Sequence, residues 1–276
     1  LKELNLLDKF LFDEAMDDPE NVKTMLDIIL SQNTNLKHPP QTEKEQRTST
    51  DNRQIRLDVY AIDEDDVIYE VEAQKENTHN LPKRSRLYQG IIDSKLLPPG
   101  VVDFNLLNEV LIVLIMPFDL FGYGLYRYTF QMKCEEVPEL KLDDGATRIF
   151  LNTRGKHPEL VSPELIELLK YMEHSTDEIS EACESKRIQE MHRRVCQIRA
   201  SEKTEVKYMQ SWEERIMIKQ EGIAEGRIEG EKALLKSLIE KKMAKKYSAE
   251  QISAMLEVDV SEVENIMKEI QNEKYL

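Results

Sequence analysis

Apolar side chains within residues 1–30 recur at three- and four-residue spacings, at Leu6, Leu7, Phe10, Leu11, Met25, Leu26 and Ile29. That is the period of a helix with one buried face. Asp17-Asp18-Pro19-Glu20 divides the stretch into two short helices, with Asp18 as the N-cap of the second and Pro19 at its first helical position. Residues 32–52 are polar, contain Pro39-Pro40, and predict a strand-poor loop. The period then changes to two. Residues 55–61 and 67–74 alternate on either side of Asp63-Glu64-Asp65-Asp66, which predicts a hairpin with a polar turn. A helix is expected over residues 81–97, stopped by Pro98-Pro99-Gly100. The unbroken apolar run from Val110 to Met116 predicts a buried strand. Residues 123–133 alternate and are expected to lie beside it, and residues 147–151 predict a further short strand. Ser162-Pro163-Glu164 marks another helix start, with serine at the N-cap.

Beyond Asp177 the pattern changes again. Residues 177–238 are charged, lack proline and hold three glycines, so one or two long helices are expected. These patterns place an α/β domain at residues 1–176 and an all-helical tail at residues 177–276. Within the tail, Gly222, Gly226 and Gly230 recur every four residues, each after a glutamate. A glycine inside a helix costs roughly 1 kcal/mol against alanine. A stripe of them either lets a second helix approach closely, as in a homodimer, or is a low-complexity repeat on an exposed helix. Ser248-Ala249-Glu250-Gln251 and Ser261-Glu262-Val263-Glu264 both read as capping boxes opening two short helices. The pair resembles a helix-turn-helix, but Glu262, Glu264 and Glu269 would repel phosphates. It is read as a packing or dimerisation element.

Composition narrows the function classes. The chain has 276 residues with 38 Lys and Arg against 53 Asp and Glu, a net charge of −15. Residues 1–176 carry 20 basic and 32 acidic side chains, a net of −12. Such acidity argues against a general polyanion binder. No apolar run reaches the roughly 20 residues a membrane helix needs, and no leader pattern is read at the start, which opens on Leu1. Cys134, Cys183 and Cys196 are too few and too scattered for a disulfide framework or a zinc cluster, so a reducing cytoplasm is expected. His38, His79, His157, His174 and His192 show no ligand spacing and no evident cysteine or acid partner.

The hairpin carries the candidate chemistry. If its turn centres on Asp65, Asp58 faces Glu72 across the two strands, and a one-residue slip would separate them. Like charges directly opposite in a sheet are destabilising. A hard divalent cation held by both carboxylates, with the Ala73 carbonyl as a further ligand, is one reason for the pairing. An ordinary solvated acidic hairpin is the other.

Arg56-Leu57-Asp58-Val59 and Val71-Glu72-Ala73-Gln74 together resemble the core motif of the PD-(D/E)XK nuclease-family transposases, the recombination-promoting nuclease family. Asp8-Lys9-Phe10-Leu11-Phe12 resembles that family's opening helix, and Arg84-Ser85-Arg86-Leu87-Tyr88 its helix after the motif. Phe118-Asp119-Leu120-Phe121-Gly122, residues 150–155 and the Glu-Gly repeats resemble later segments, so the likeness spans nearly the whole chain. The resemblance implies a restriction-endonuclease-like core, with a central mixed sheet flanked by helices. It implies a Mg²⁺-dependent DNA endonuclease of a mobile-element or recombination system, with Mn²⁺ as a substitute ion.

Under that resemblance Asp58, Glu72 and Gln74 are the catalytic residues, and Asp58, Glu72 and Asp8 hold the metal. Glu14 is a weaker candidate than Asp8, and Glu70, on the face of Glu72, is a supporting or metal-binding group or merely an exposed one. Arg84 and Tyr88, four apart on one helix face, would grip a phosphate or form a surface pair. Residues 75–95 carry five basic and two acidic side chains, which favours the phosphate. Gln74 stands where the wider superfamily has lysine, although the narrower family commonly shows glutamine here. Glutamine can orient a water but not deprotonate it, and Lys75 is expected on the opposite face. The alternative is therefore a nuclease-fold DNA-binding or regulatory protein, weakly active or inactive, that dimerises through its tail.

Overall fold

The computed structural model describes residues 1–46 and 55–273. They form two compact units, Leu1–Tyr208 and Met209–Leu276. The first unit is built on a six-stranded mixed sheet in the order β1 (Gln41–Gln46), β2 (Ile55–Ile62), β3 (Ile68–Ala73), β4 (Val110–Met116), β6 (Ala146–Asn152), β5 (Arg127–Phe130).

β2 (Ile55–Ile62) and β3 (Ile68–Ala73) form the expected hairpin. Its turn is made by Asp63, whose carboxylate accepts from the backbone N–H of Asp65 (3.0 Å) and Val67 (2.9 Å) and from the Tyr69 hydroxyl (2.7 Å). An aspartate bonding its own following backbone is the usual chemistry of a tight turn. Val59 lies opposite Val71 and Tyr60 opposite Glu70, the register that puts Asp58 and Glu72 on one face. β4 (Val110–Met116) pairs parallel with β3, and β6 (Ala146–Asn152) pairs parallel with β4.

Two expectations change here. Residues 41–46 are β1 (Gln41–Gln46), antiparallel to β2, rather than loop. Its sequence is Gln-Thr-Glu-Lys-Glu-Gln, and an edge strand joined through its backbone needs no apolar face. β5 (Arg127–Phe130) is shorter than the alternation suggests and pairs antiparallel with β6, not with β4. Both edges of β4 are already taken, by β3 and β6.

Each sheet face carries its own core. Val59, Ala61, Val71, Val113, Ile115 and Leu151 face a layer of helices: α1 (Lys9–Met16), α2 (Pro19–Leu30), α4 (Pro163–Glu173), α5 (Asp177–Ala182) and α6 (Lys186–Arg199). Tyr60, Ile68, Ile112, Leu114 and Phe150 face α3 (Leu81–Asp93), which covers the other side through Leu81, Tyr88, Ile91 and Ile92. Asp18 caps α2 by accepting from the Glu20 N–H, and Ser162 caps α4 through Leu165.

The unit boundary falls at 208, not at 176, because α5 and α6 belong to the first core. Ile188, Met191 and Val195 on one face of α6 are fully buried there. The polar face of α6 hides this in a charge count, yet burying each such side chain is worth roughly 1.5–3 kcal/mol. Residues 177–238, expected as one or two long helices, are thus α5, α6 and most of α7 (Glu202–Met243), separated by the Ser185 cap and a break at Ala200-Ser201.

The second unit contains the remainder of α7, α8 (Ala249–Leu256) and α9 (Val260–Glu273), packed around Ile239, Ile252, Val263 and Ile270. The Ser248 capping box forms with both of its hydrogen bonds. The second one does not: α9 begins at Val260, so Ser261 lies inside the helix, and the Asp259 carbonyl accepts from Glu262 and Val263. Gly222, Gly226 and Gly230 have open space where side chains would start: beyond their own stretch of helix, no described atom lies within 4 Å. Among the described residues, no helix is long and apolar enough to cross a membrane.

Candidate active site

β3 ends at Ala73, between the starts of α1 and α3. There the chain leaves a cleft of about 710 Å³ lined by Asp8, Asp58, Glu72, Gln74, Arg84 and Tyr88. These six are the catalytic, metal-binding and phosphate-gripping candidates of the sequence other than Glu14 and Glu70, and they come from four separate segments. The cleft also takes Lys9, Arg56, Lys75 and Lys83, which were given no part in it.

Asp58 and Glu72 project from β2 and β3 on the side that α3 covers, and each is 7% exposed. Each carboxylate has a cation. The Lys9 ammonium donates to Asp58 Oδ1, and Arg84 Nη2 donates to both Glu72 Oε1 and Gln74 Oε1. Burial pushes the Glu72 carboxyl up to about 7; Arg84 opposes the shift and Asp58 adds to it. Glu72 Oε2 is buried without a hydrogen-bond partner.

Glu70 is fully buried, so the reading of it as an exposed group is overturned. Both of its carboxylate oxygens lack a hydrogen-bond partner. Burial first, then Glu72 and Asp58, push its carboxyl well above the usual range, so the neutral acid is favoured.

Asp8 precedes α1 rather than lying on it. Its carboxylate accepts from the Asn5 N–H (2.9 Å) and from Lys75 Nζ (2.5 Å). Lys75 reaches into the cleft because the strand has ended, so alternation no longer decides its side. Asp8, Asp58 and Glu72 do not bring one ligand atom each within 4.8 Å of one another among the described residues. The metal-ligand set expected from the sequence is therefore not assembled as a trio; Asp8 is held by Lys75 instead. Glu14 lies outside the cleft lining and pairs with Lys207 at 2.7 Å.

Arg84 lies over the Tyr88 ring, 5.9 Å from ring centroid to guanidinium carbon. Tyr88 is 8% exposed, which makes this more than a surface pair. Burial and the nearby Glu72 push its hydroxyl up, so it stays protonated and able to donate.

The donor chemistry suits a hard cation. Asp58 and Glu72 offer carboxylate oxygens, and the buried Glu72 Oε2 has no protein partner to lose. Lys9 and Arg84 sit where they neutralise those carboxylates. An ion would have to displace them or share the oxygens with them.

Lys9 serves a second acid, Asp13, at 3.1 Å. One ammonium between two carboxylates leaves a surplus, and burial pushes the Asp13 carboxyl up to about 8, against Lys9 and with help from Asp58. A folded value above the unfolded one means the native state binds more protons between about pH 4 and about pH 8, so stability falls as pH rises through that window. Asp13→Asn removes the loss. Its melting temperature is expected to exceed the parent's at pH 8 and to converge with it near pH 4, measured by thermal unfolding across that range.

Comparison with protein-family models, curated proteins and solved structures finds no match to this chain.

Proposed function

We propose that the cleft is the active site of a Mg²⁺-dependent endonuclease acting on DNA. The carrying observation is that one cleft joins two buried carboxylates on neighbouring strands, Asp58 and Glu72, to a rim bearing Lys9, Arg56, Lys75, Lys83 and Arg84. Carboxylates for a metal beside cations for a phosphate are the parts phosphodiester hydrolysis requires. The family resemblance of the hairpin points the same way.

Asp58 and Glu72 would hold the ion, with the Ala73 carbonyl adjacent. A bound Mg²⁺ would supply charge stabilisation at the phosphoryl oxygens and a more acidic water. Arg84, freed from Glu72, is within reach of a phosphate and keeps Gln74 as an anchor. Gln74 is committed at both ends, accepting from Arg84 and donating to the Glu76 carbonyl at 2.6 Å. Its part is to aim the guanidinium. Lys75 and Lys83 would track the backbone. Because the whole chain carries −15, binding should be weak, and because it rests on the cleft cations it should weaken further with salt.

Supercoiled plasmid incubated with the protein should be nicked with Mg²⁺ and untouched with chelator. Nicking that survives chelation would refute the reading. A second reading, a DNA-binding protein without catalysis, is favoured by one feature: both acids already have cationic partners. Retarded but uncut DNA in Mg²⁺ would select it.

The proposal extends to a homodimer through α7. Ile218, Ile223 and Ile228 are exposed around the glycine stripe, where a second helix could close in. Light scattering should then give twice the 32.3 kDa chain mass, and a monomer at all concentrations would sink it.

A further inference from the structure

His192 has no evident cysteine or acid partner along the chain, and the fold supplies both. α6 places His192 and Cys196 four residues apart on one helix face. Asp177, the first residue of α5, is brought alongside because the turn between the helices is tightly held. Ser185 caps α6, and the Gln189 amide donates to the Cys183 carbonyl at 2.8 Å. One ligand atom from each of Asp177, His192 and Cys196 lies within 4.8 Å of the others. His192 Nε2 is 2.7 Å from Asp177 Oδ1 and 3.3 Å from Cys196 Sγ, and Sγ is 3.9 Å from Oδ1.

We propose that Asp177, His192 and Cys196 form a binding site for a borderline transition-metal dication of the Zn²⁺ class, with the fourth position open to water. The cluster shares no residue with the cleft and stands independently of the nuclease reading.

A nucleophilic relay of cysteine, histidine and aspartate needs both ring nitrogens, one for the thiol and one for the acid. Here Nε2 alone faces Sγ and Oδ1, while Nδ1 faces the Tyr171 hydroxyl at 3.0 Å. Three donor atoms converging on one point is the pattern of ligation. Tyr171 is fully buried and its ring meets the imidazole edge-to-face at 5.5 Å. It anchors the far nitrogen and aims Nε2 outward, as outer partners of metal-bound histidines do.

The donor set decides the ion. One sulfur, one imidazole nitrogen and one carboxylate suit Zn²⁺ and its neighbours, whereas Mg²⁺ prefers oxygen alone. A thiolate and a carboxylate neutralise a dication. Asp177 is exposed, so it can swing outward to admit the ion. Bound metal would clamp α5 to α6.

The test uses the full chain, stripped with chelator and titrated with Co²⁺ in excess Mg²⁺. The expected result is a thiolate-to-cobalt charge-transfer band with strong tetrahedral visible absorption, saturating at one ion per chain and reversed by Zn²⁺. Cys196→Ala should abolish the charge-transfer band. Asp177→Asn, an exposed and fold-neutral change, should weaken binding by roughly 10–100-fold. Asp58→Ala combined with Glu72→Ala should leave the band intact. No band in the parent would overturn the proposal, as would a band surviving Cys196→Ala, unchanged affinity in Asp177→Asn, or a band lost with the two cleft acids.

Discussion

Asp58→Ala is expected to lower Mg²⁺-dependent plasmid nicking by roughly 10³-fold while leaving the fold intact. A metal that stabilises phosphoryl charge is worth several kcal/mol at the transition state, and about 4 kcal/mol corresponds to that factor. Removing the carboxylate takes away a metal ligand and also frees the Lys9 ammonium it holds. Lys9 keeps Asp13, so no cation is stranded, and the folded state should tolerate the change. Nicking equal to the parent's would remove Asp58 from the site. Thermal unfolding measured alongside separates lost chemistry from lost structure.

Phe12→Ala should carry the largest stability cost, about 3–5 kcal/mol, as expected for truncating a buried aromatic. Phe12 is fully buried in the core shared by α1, α2 and the sheet. For a unit of this size, at about 2–4 °C per kcal/mol, the loss should appear as a fall in melting temperature of roughly 6–20 °C. It also has a functional consequence. The buried face of α1 sets where its first residue, Lys9, meets Asp58, so a loosened helix should impair cleavage below the new melting point. A shift of only a degree or two would mean that α1 is not part of the cooperative core.

Much of this architecture is legible in the chain because it rests on local rules. The alternation in 55–61 and 67–74, with aspartates between, is enough to specify the hairpin and its register, since a slip would turn Val59 and Val71 out of the core. The run Val110–Met116 reads as a central strand because parallel strands are buried on both faces. Asp18, Ser162 and Ser248 announce helix starts through side chains that bond the backbone just beyond them. β1 was not legible, as backbone pairing at an edge leaves no mark on polarity. Lys75 was misplaced because period-2 reasoning was carried past Ala73, where the strand ends.

The sequence by itself determined the α/β order, the hairpin, the facing pair of acids and the local positive charge after them. Each depends on residues close together in the chain, where period and turn chemistry act directly. Only the tertiary structure decided that Lys9 meets Asp58, that Arg84 spans Glu72 and Gln74, that Lys75 reaches Asp8, and that Glu70 is sealed inside. It likewise joined Asp177 to His192 and Cys196. Contacts of this kind depend on how helices dock on the two faces of a sheet. That docking is set by the summed burial of many side chains rather than by any short motif.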